Sequence, residues 1–149
     1  MAHPTDPFVG TWTLDPSKSE FDPNHRPASA TLVFEIDADG HHVMKAEGTR
    51  PDGARVVERA SRFVTDGVAR PLPDLPQLTV VSTRPRHDTL HSVARRPDGS
   101  IVGESTIVVS SDGRTLTATN SGVDAQLRTF RQSTCFTRVE AAELADPLG

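Results

Sequence analysis

The sequence predicts an all-β protein, a single up-and-down antiparallel barrel of about nine or ten strands. Three observations point there. Short segments along most of the chain alternate apolar with polar residues, the period-two pattern of half-buried strands. Asp-Gly recurs at Asp39-Gly40, Asp52-Gly53, Asp66-Gly67, Asp98-Gly99 and Asp112-Gly113, dividing those segments at hairpin spacing. No convincing helical repeat appears, and an open sheet of this many strands would expose edges that closure removes.

The first element is Phe8-Val9-Gly10-Thr11-Trp12-Thr13-Leu14-Asp15, which alternates and holds the only tryptophan. Pro16 to Pro27 carries three prolines and reads as a connecting loop. Ala30 to Asp37 sets Leu32, Phe34 and Ile36 on one face, and His42, Met44 and Ala46 share a face of the return strand. The Asp-Gly pairs are expected to form type I′ turns, and a further turn falls at Pro85-Arg86-His87-Asp88. Arg70 to Pro76 holds three prolines, so it is expected at the rim and not in a central strand. The remaining strands read Leu78–Thr83, Thr89–Arg95, Ile101–Ser110, Thr115–Asn120 and Gln126–Glu140, with one frayed helical turn in the tail.

The chain has 149 residues, the size of one domain, here 1–149 with 1–7 and 141–149 as flexible ends. It is 35% hydrophobic and 24% charged, and no apolar run approaches the ~20 residues that span a bilayer. The opening Met-Ala-His-Pro-Thr-Asp-Pro has neither the basic nor the apolar region of a secretion signal, so a cytoplasmic protein is expected. A net charge of −4 gives no reason to expect nucleic acid. Cys135 is the only cysteine, which excludes an intrachain disulfide, and it is expected to be a packed, inert thiol.

Gly10-Thr11-Trp12-Thr13-Leu14-Asp15, followed by Lys18-Ser19 and Phe21, resembles the opening of lipocalin-like bacterial proteins. The resemblance extends to Asp66-Gly67 before a proline, to Ser111 through Thr117, and to Gly122-Val123-Asp124-Ala125. The opening is also similar to that of the fatty-acid-binding proteins, and Thr137-Arg138-Val139 is similar to their last strand. Both groups are calycins, ligand-binding barrels. The resemblance implies that Gly10 and Trp12 close the base, with Arg138 lying over the indole, a contact worth roughly 0.5–2 kcal/mol. It also shows departures. Fatty-acid-binding proteins place a helix pair after the first strand, where this chain has a Pro-rich loop. They also hold the ligand carboxylate with an arginine and a tyrosine, whereas this chain has no tyrosine and carries Glu140 two residues after Arg138.

If Phe130 and Phe136 point inward, parity places Arg128, Gln132, Thr134 and Arg138 on the same face. Phe34, Met44, Arg128, Phe130 and Gln132 are therefore the expected lining of a lumen for an amphipathic guest, with Arg128 taking its acidic or polar head. His41 and His42 follow a turn and are expected at the surface. His87 and His91 bracket a hairpin, where their spacing does not make a metal site. His91 or His42 beside Glu47, Glu58 or Glu104 are the weak candidates for acid–base catalysis. There is no Gly-x-Ser-x-Gly elbow, phosphate loop or dinucleotide fingerprint, and neither cofactor nor metal is expected. The leading expectation is a cytoplasmic carrier of a small, largely apolar molecule, without nucleic-acid or membrane partners. The alternatives are a cofactor-independent cyclase, isomerase or hydrolase using the same cavity, and a filled barrel serving as scaffold or homodimer.

Overall fold

In the computed structural model, residues 6–21, 29–57, 60–72, 75–123 and 127–139 are described. They form β1 (Gly10–Leu14), β2 (Ser29–Ile36), β3 (His42–Thr49), β4 (Arg55–Val57), β5 (Ser61–Phe63), β6 (Arg70–Pro71), β7 (Thr79–Arg86), β8 (Thr89–Arg95), β9 (Ile101–Val109), β10 (Thr115–Val123) and β11 (Thr129–Arg138). One antiparallel sheet runs β4-β3-β2-β1-β11-β10-β9-β8-β7-β6, with β5 also on β3. The first strand pairs with both the second and the last, which curls a meander into a barrel. Among the described residues there are eleven strands against the nine or ten expected, and three of them, β4, β5 and β6, are only two or three residues long. After β1 the described residues form a 3-10 turn, Pro16–Lys18, started by the Asp15 side chain accepting from the Ser17 amide. The expected helical turn of the tail, the Asp124-Ala125 pair and Glu140 lie outside the described residues.

The hairpins depart from expectation in turn type. At Gly40, Gly53, Gly99 and Gly113 φ is 75–89°, yet the aspartates before them are not in the left-handed region. Each glycine amide donates to the carbonyl three residues back (Asp37, Arg50, Arg96 and Ser110), as in a type I turn closed by a glycine bulge, not a type I′ turn. The aspartate side chain explains the preference. Asp52, Asp98 and Asp112 each accept the amide two residues on, reaching around the glycine. Asp66-Gly67 is no hairpin tip; it lies between β5 and β6, where the Gly67 amide donates to Ser82. Pro71 ends the edge strand β6, as a residue without a donor must, and Pro85 falls at an irregularity of β7.

One cluster fills the closed end: Phe8, Trp12, Leu32, Phe34, Leu90, Ile107, Val109, Leu116, Ala118 and Phe136. Phe8 precedes β1 and folds beneath it, and its carbonyl accepts from the Trp12 indole at 3.0 Å. Fully burying each large side chain contributes roughly 1.5–3 kcal/mol, so this cluster is the main source of stability. Cys135 has the opposite parity to Phe136 and is buried on the outer face, with the Ser19 hydroxyl accepting from its amide.

Candidate functional site

Register assembles the inner face in layers. Val109, Leu116, Phe136 and Leu14 lie in one row across β9, β10, β11 and β1. The next row is Leu90, Ile107, Ala118 and Thr134, still largely apolar. Above it the chemistry changes. Ser82, Ser92, Ser105, Asn120 and Gln132 face one another in unbroken register across β7 to β11. The row beyond, Val80, Ala94, Gly103, Gly122 and Phe130, is mostly small. On β2 and β3, Ala30 pairs with Gly48 and Leu32 with Ala46, so that wall is small too.

This change from large to small side chains leaves a groove of about 270 Å³, lined by Val80, Ser92, Ala94, Gly103, Glu104, Ser105, Asn120, Ser121 and Phe130. The Ser82 and Ser92 hydroxyls bond at 2.8 Å. The side-chain oxygen of Gln132 is buried and has no hydrogen-bond partner. A larger depression of about 670 Å³ lies at the other end, among the turns at His87-Asp88 and Ser110–Arg114. It is the outer surface of the plug, and Arg138 beneath it gives its donors to backbone carbonyls, so we place the candidate site in the lumen.

Phe130 lines the groove, and Gln132 shares its face of β11 one row nearer the plug, opposite the groove residue Asn120. Phe34 belongs to the plug instead: it is 0% exposed, with ring centres 5.7 Å from Phe8 and 6.3 Å from Phe63. Met44 packs against the same cluster. Arg128 corrects the parity argument. β11 begins only at Thr129, Leu127 before it has φ 62°, and Arg128 is exposed, so the alternation that holds from Phe130 onward does not reach it. Trp12 and Arg138 meet at the base, 4.2 Å from guanidinium carbon to ring centre. Gly10 is required there: φ is 137°, and a Cβ would stand 2.5 Å from the Arg138 guanidinium.

His42 is a second correction. It is buried on the inner face opposite Ile36 and Phe63, edge-on to Phe8, with Nε2 3.0 Å from Asp6 Oδ1. Arg84 approaches the other Asp6 oxygen at 3.1 Å and lies over the Phe8 ring. Burial pushes the Asp6 carboxyl up, but the close His42 ring, the Phe8 amide and Arg84 more than offset it and hold it below its ordinary 3.8. His91 lies on the outer face and bonds Glu104 at 2.7 Å; Glu47 pairs with Arg55 outside, and Glu58 lies outside the described residues. The His42–Asp6 pair lies among the plug residues, whereas Glu104 also borders the groove while bonded to His91. His87 is exposed in its turn, and no group of three potential metal ligands occurs among the described residues.

Sequence reasoning missed Asp6, Arg84 and the serine–amide belt. The belt had a faint signal, a small polar residue two positions from an inward apolar one in Leu90-x-Ser92, Ser105-x-Ile107 and Ala118-x-Asn120. Only the register shows that these face each other.

The fold is an antiparallel β-barrel similar in form to that of the fatty-acid-binding proteins. Among similar solved structures, the fluorescent protein UnaG aligns over 89% of this chain and 97% of its own, with TM-score 0.56 and 14% identity. A zebrafish ileal bile acid-binding protein complexed with cholic acid aligns over 89% and 99%, with TM-score 0.55 and 13% identity. The extracellular fatty acid binding protein As-p18 aligns over 90% and 97%, with TM-score 0.50 and 14% identity. At such identities the likeness is one of fold. No protein-family profile matches the chain, and no curated protein matches it significantly in sequence.

Proposed function

We propose that this barrel binds a small, largely apolar or amphipathic molecule in the upper half of its lumen. One observation carries the reading: above the Leu90–Thr134 row the inward residues of β8 to β10 are Ser92, Ala94, Ser105, Gly103, Asn120 and Gly122, and the core stops filling the tube. A solid scaffold would continue the large residues of the plug upward. Binding then rests on apolar burial at ~25 cal/mol per Å², with the polar row fixing orientation. Similar barrels that bind a bile acid or a fatty acid support the same use of the interior. The groove offers the enzymatic alternative little: His42–Asp6 lies at the plug, and Glu104, which borders the groove, is bonded to His91 on the outer face.

Native mass spectrometry of freshly purified protein tests the proposal. A co-purifying small molecule, or a rise in unfolding temperature with members of a lipid and aromatic panel, is the expected result. Repeated empty spectra together with no thermal response would overturn it.

A further inference from the structure

Resting on that reading, we propose that the guest is uncharged and carries an alcohol or amide group, which the row Ser82–Ser92–Ser105–Asn120–Gln132 receives. Every member of this row is a neutral group that can both donate and accept. The row is incomplete by itself. Ser82 and Ser92 satisfy one another, whereas the Gln132 amide keeps a buried oxygen without a partner. A buried polar atom left unpaired is costly, and a ligand hydroxyl or amide N–H removes that cost. Because the two ends of an amide exchange by a half-turn, a ligand group that both donates and accepts suits either orientation.

The surroundings argue against an ion. The neighbouring rows, Leu90–Ile107–Ala118–Thr134 and Val80–Ala94–Gly103–Gly122–Phe130, carry no charge, nor do Ala30, Ala46 and Gly48 on the other wall. Glu104, which also borders the groove, is a carboxylate bonded to His91 at 2.7 Å and offers a guest carboxylate no counter-charge. Arg70 continues the outer row beyond Val80, but both of its terminal nitrogens bond Asp66 at 2.7 Å. Arg138 is committed to the base, Arg84 to Asp6, and Arg128 is exposed outside β11. A carboxylate lowered to the belt would lose its hydration and meet only dipoles, which do not replace a counter-charge.

The test is displacement of the uncharged dye Nile red at pH 8 by three probes of equal chain length: decanamide, methyl decanoate and decanoate. Decanamide is expected to bind about ten-fold or more tighter than decanoate. Gln132→Leu should weaken decanamide about five-fold or more while leaving methyl decanoate within about two-fold, because only the amide donates to the belt. Ser105→Ala, checked for fold by circular dichroism as is Gln132→Leu, should shift decanamide in the same direction. Decanoate binding as tightly as decanamide, or folded variants that keep the wild-type decanamide affinity, would overturn this inference and leave the lumen reading standing. If the wild-type protein binds neither dye nor probes, the lumen reading falls and takes this inference with it.

Discussion

The guanidinium carbon of Arg138 lies 4.2 Å from the centre of the Trp12 ring, and all three of its nitrogens donate to main-chain carbonyls. Nε reaches Gly113 at 2.7 Å, and the terminal nitrogens reach Val9 at 2.7 Å and Pro7 at 2.6 Å. One side chain at the end of β11 thus joins the segment before β1, the β9–β10 turn and the indole at the base. A planar fork of fixed geometry suits this task, since each nitrogen points at a different piece of chain.

Arg138→Met should therefore cost about 2–4 kcal/mol in urea unfolding at pH 7, combining lost charge-assisted bonds with the lost cation–π contact. Arg138→Lys keeps the charge but has one nitrogen for three diverging carbonyls, and should still cost about 1 kcal/mol or more. A lysine variant as stable as the wild type would mean that charge over the indole, not the fork, closes the base.

Asp6 offers a test by pH. Its carboxyl is held below 3.8 by His42, the Phe8 amide and Arg84 against the opposing effect of burial. A folded-state value below the unfolded one stabilises the protein above about pH 4, and that contribution is lost as pH falls through the lower folded value. Asp6→Asn should be less stable than the wild type at pH 7, and the gap should narrow steadily below pH 4. Other exposed aspartates also titrate low, among them Asp66 and Asp112, but they are common to both proteins and cancel in the difference. A constant gap down to pH 2.5 would remove the carboxylate charge from the explanation.

The strand Thr89–Arg95 was legible to the residue, because turn chemistry bounds it on one side at His87-Asp88 and on the other at Asp98-Gly99. The contact of Arg138 with Trp12 was expected from the resemblance of the opening Gly10-Thr11-Trp12 to other barrels, and not from alternation alone. Arg128 was not, because parity argues only as far as the strand extends, and the left-handed Leu127 interrupts it first. His42 failed for a different reason. A histidine after a hairpin reads as exposed unless its partner is known, and Asp6 sits in a segment that composition alone marks as loose. The polar belt is a property of five strands in register, and no single strand contains it.

Phe34 separates plug from lumen. It is fully buried, with its ring against Phe8 and Phe63, so Phe34→Ala should lower stability by about 3–5 kcal/mol. Where the variant remains folded, ligand affinity should change little, because the groove lies layers away. A large affinity loss with small destabilisation would return Phe34 to the ligand's surroundings.

Cys135 is held under the Asp15–Ser19 segment, where burial, then the nearby Asp15 charge, pushes its thiol up. The thiolate is the reactive form, so alkylation at pH 8 should be slow in the folded protein and complete in urea. Rapid labelling of the native protein would show that this segment opens easily.

Ala94 gives the sharpest test of where a guest resides. Its methyl points into the groove, in register with Val80 on β7 and Gly103 on β9, where neither neighbour fills the space. Ala94→Phe places a ring in that gap. Because the gap is open, the added bulk should change stability by no more than about 1 kcal/mol, in contrast to overpacking of the closed end. Affinity for any lumen ligand should fall about thirty-fold or more, since the ring takes the volume that the ligand's apolar body would bury. A parallel substitution at the opposite end, Arg114→Ala, changes the depression among the turns and leaves the groove untouched. Binding that survives Ala94→Phe and disappears with Arg114→Ala would move the guest from the interior of the barrel to its base.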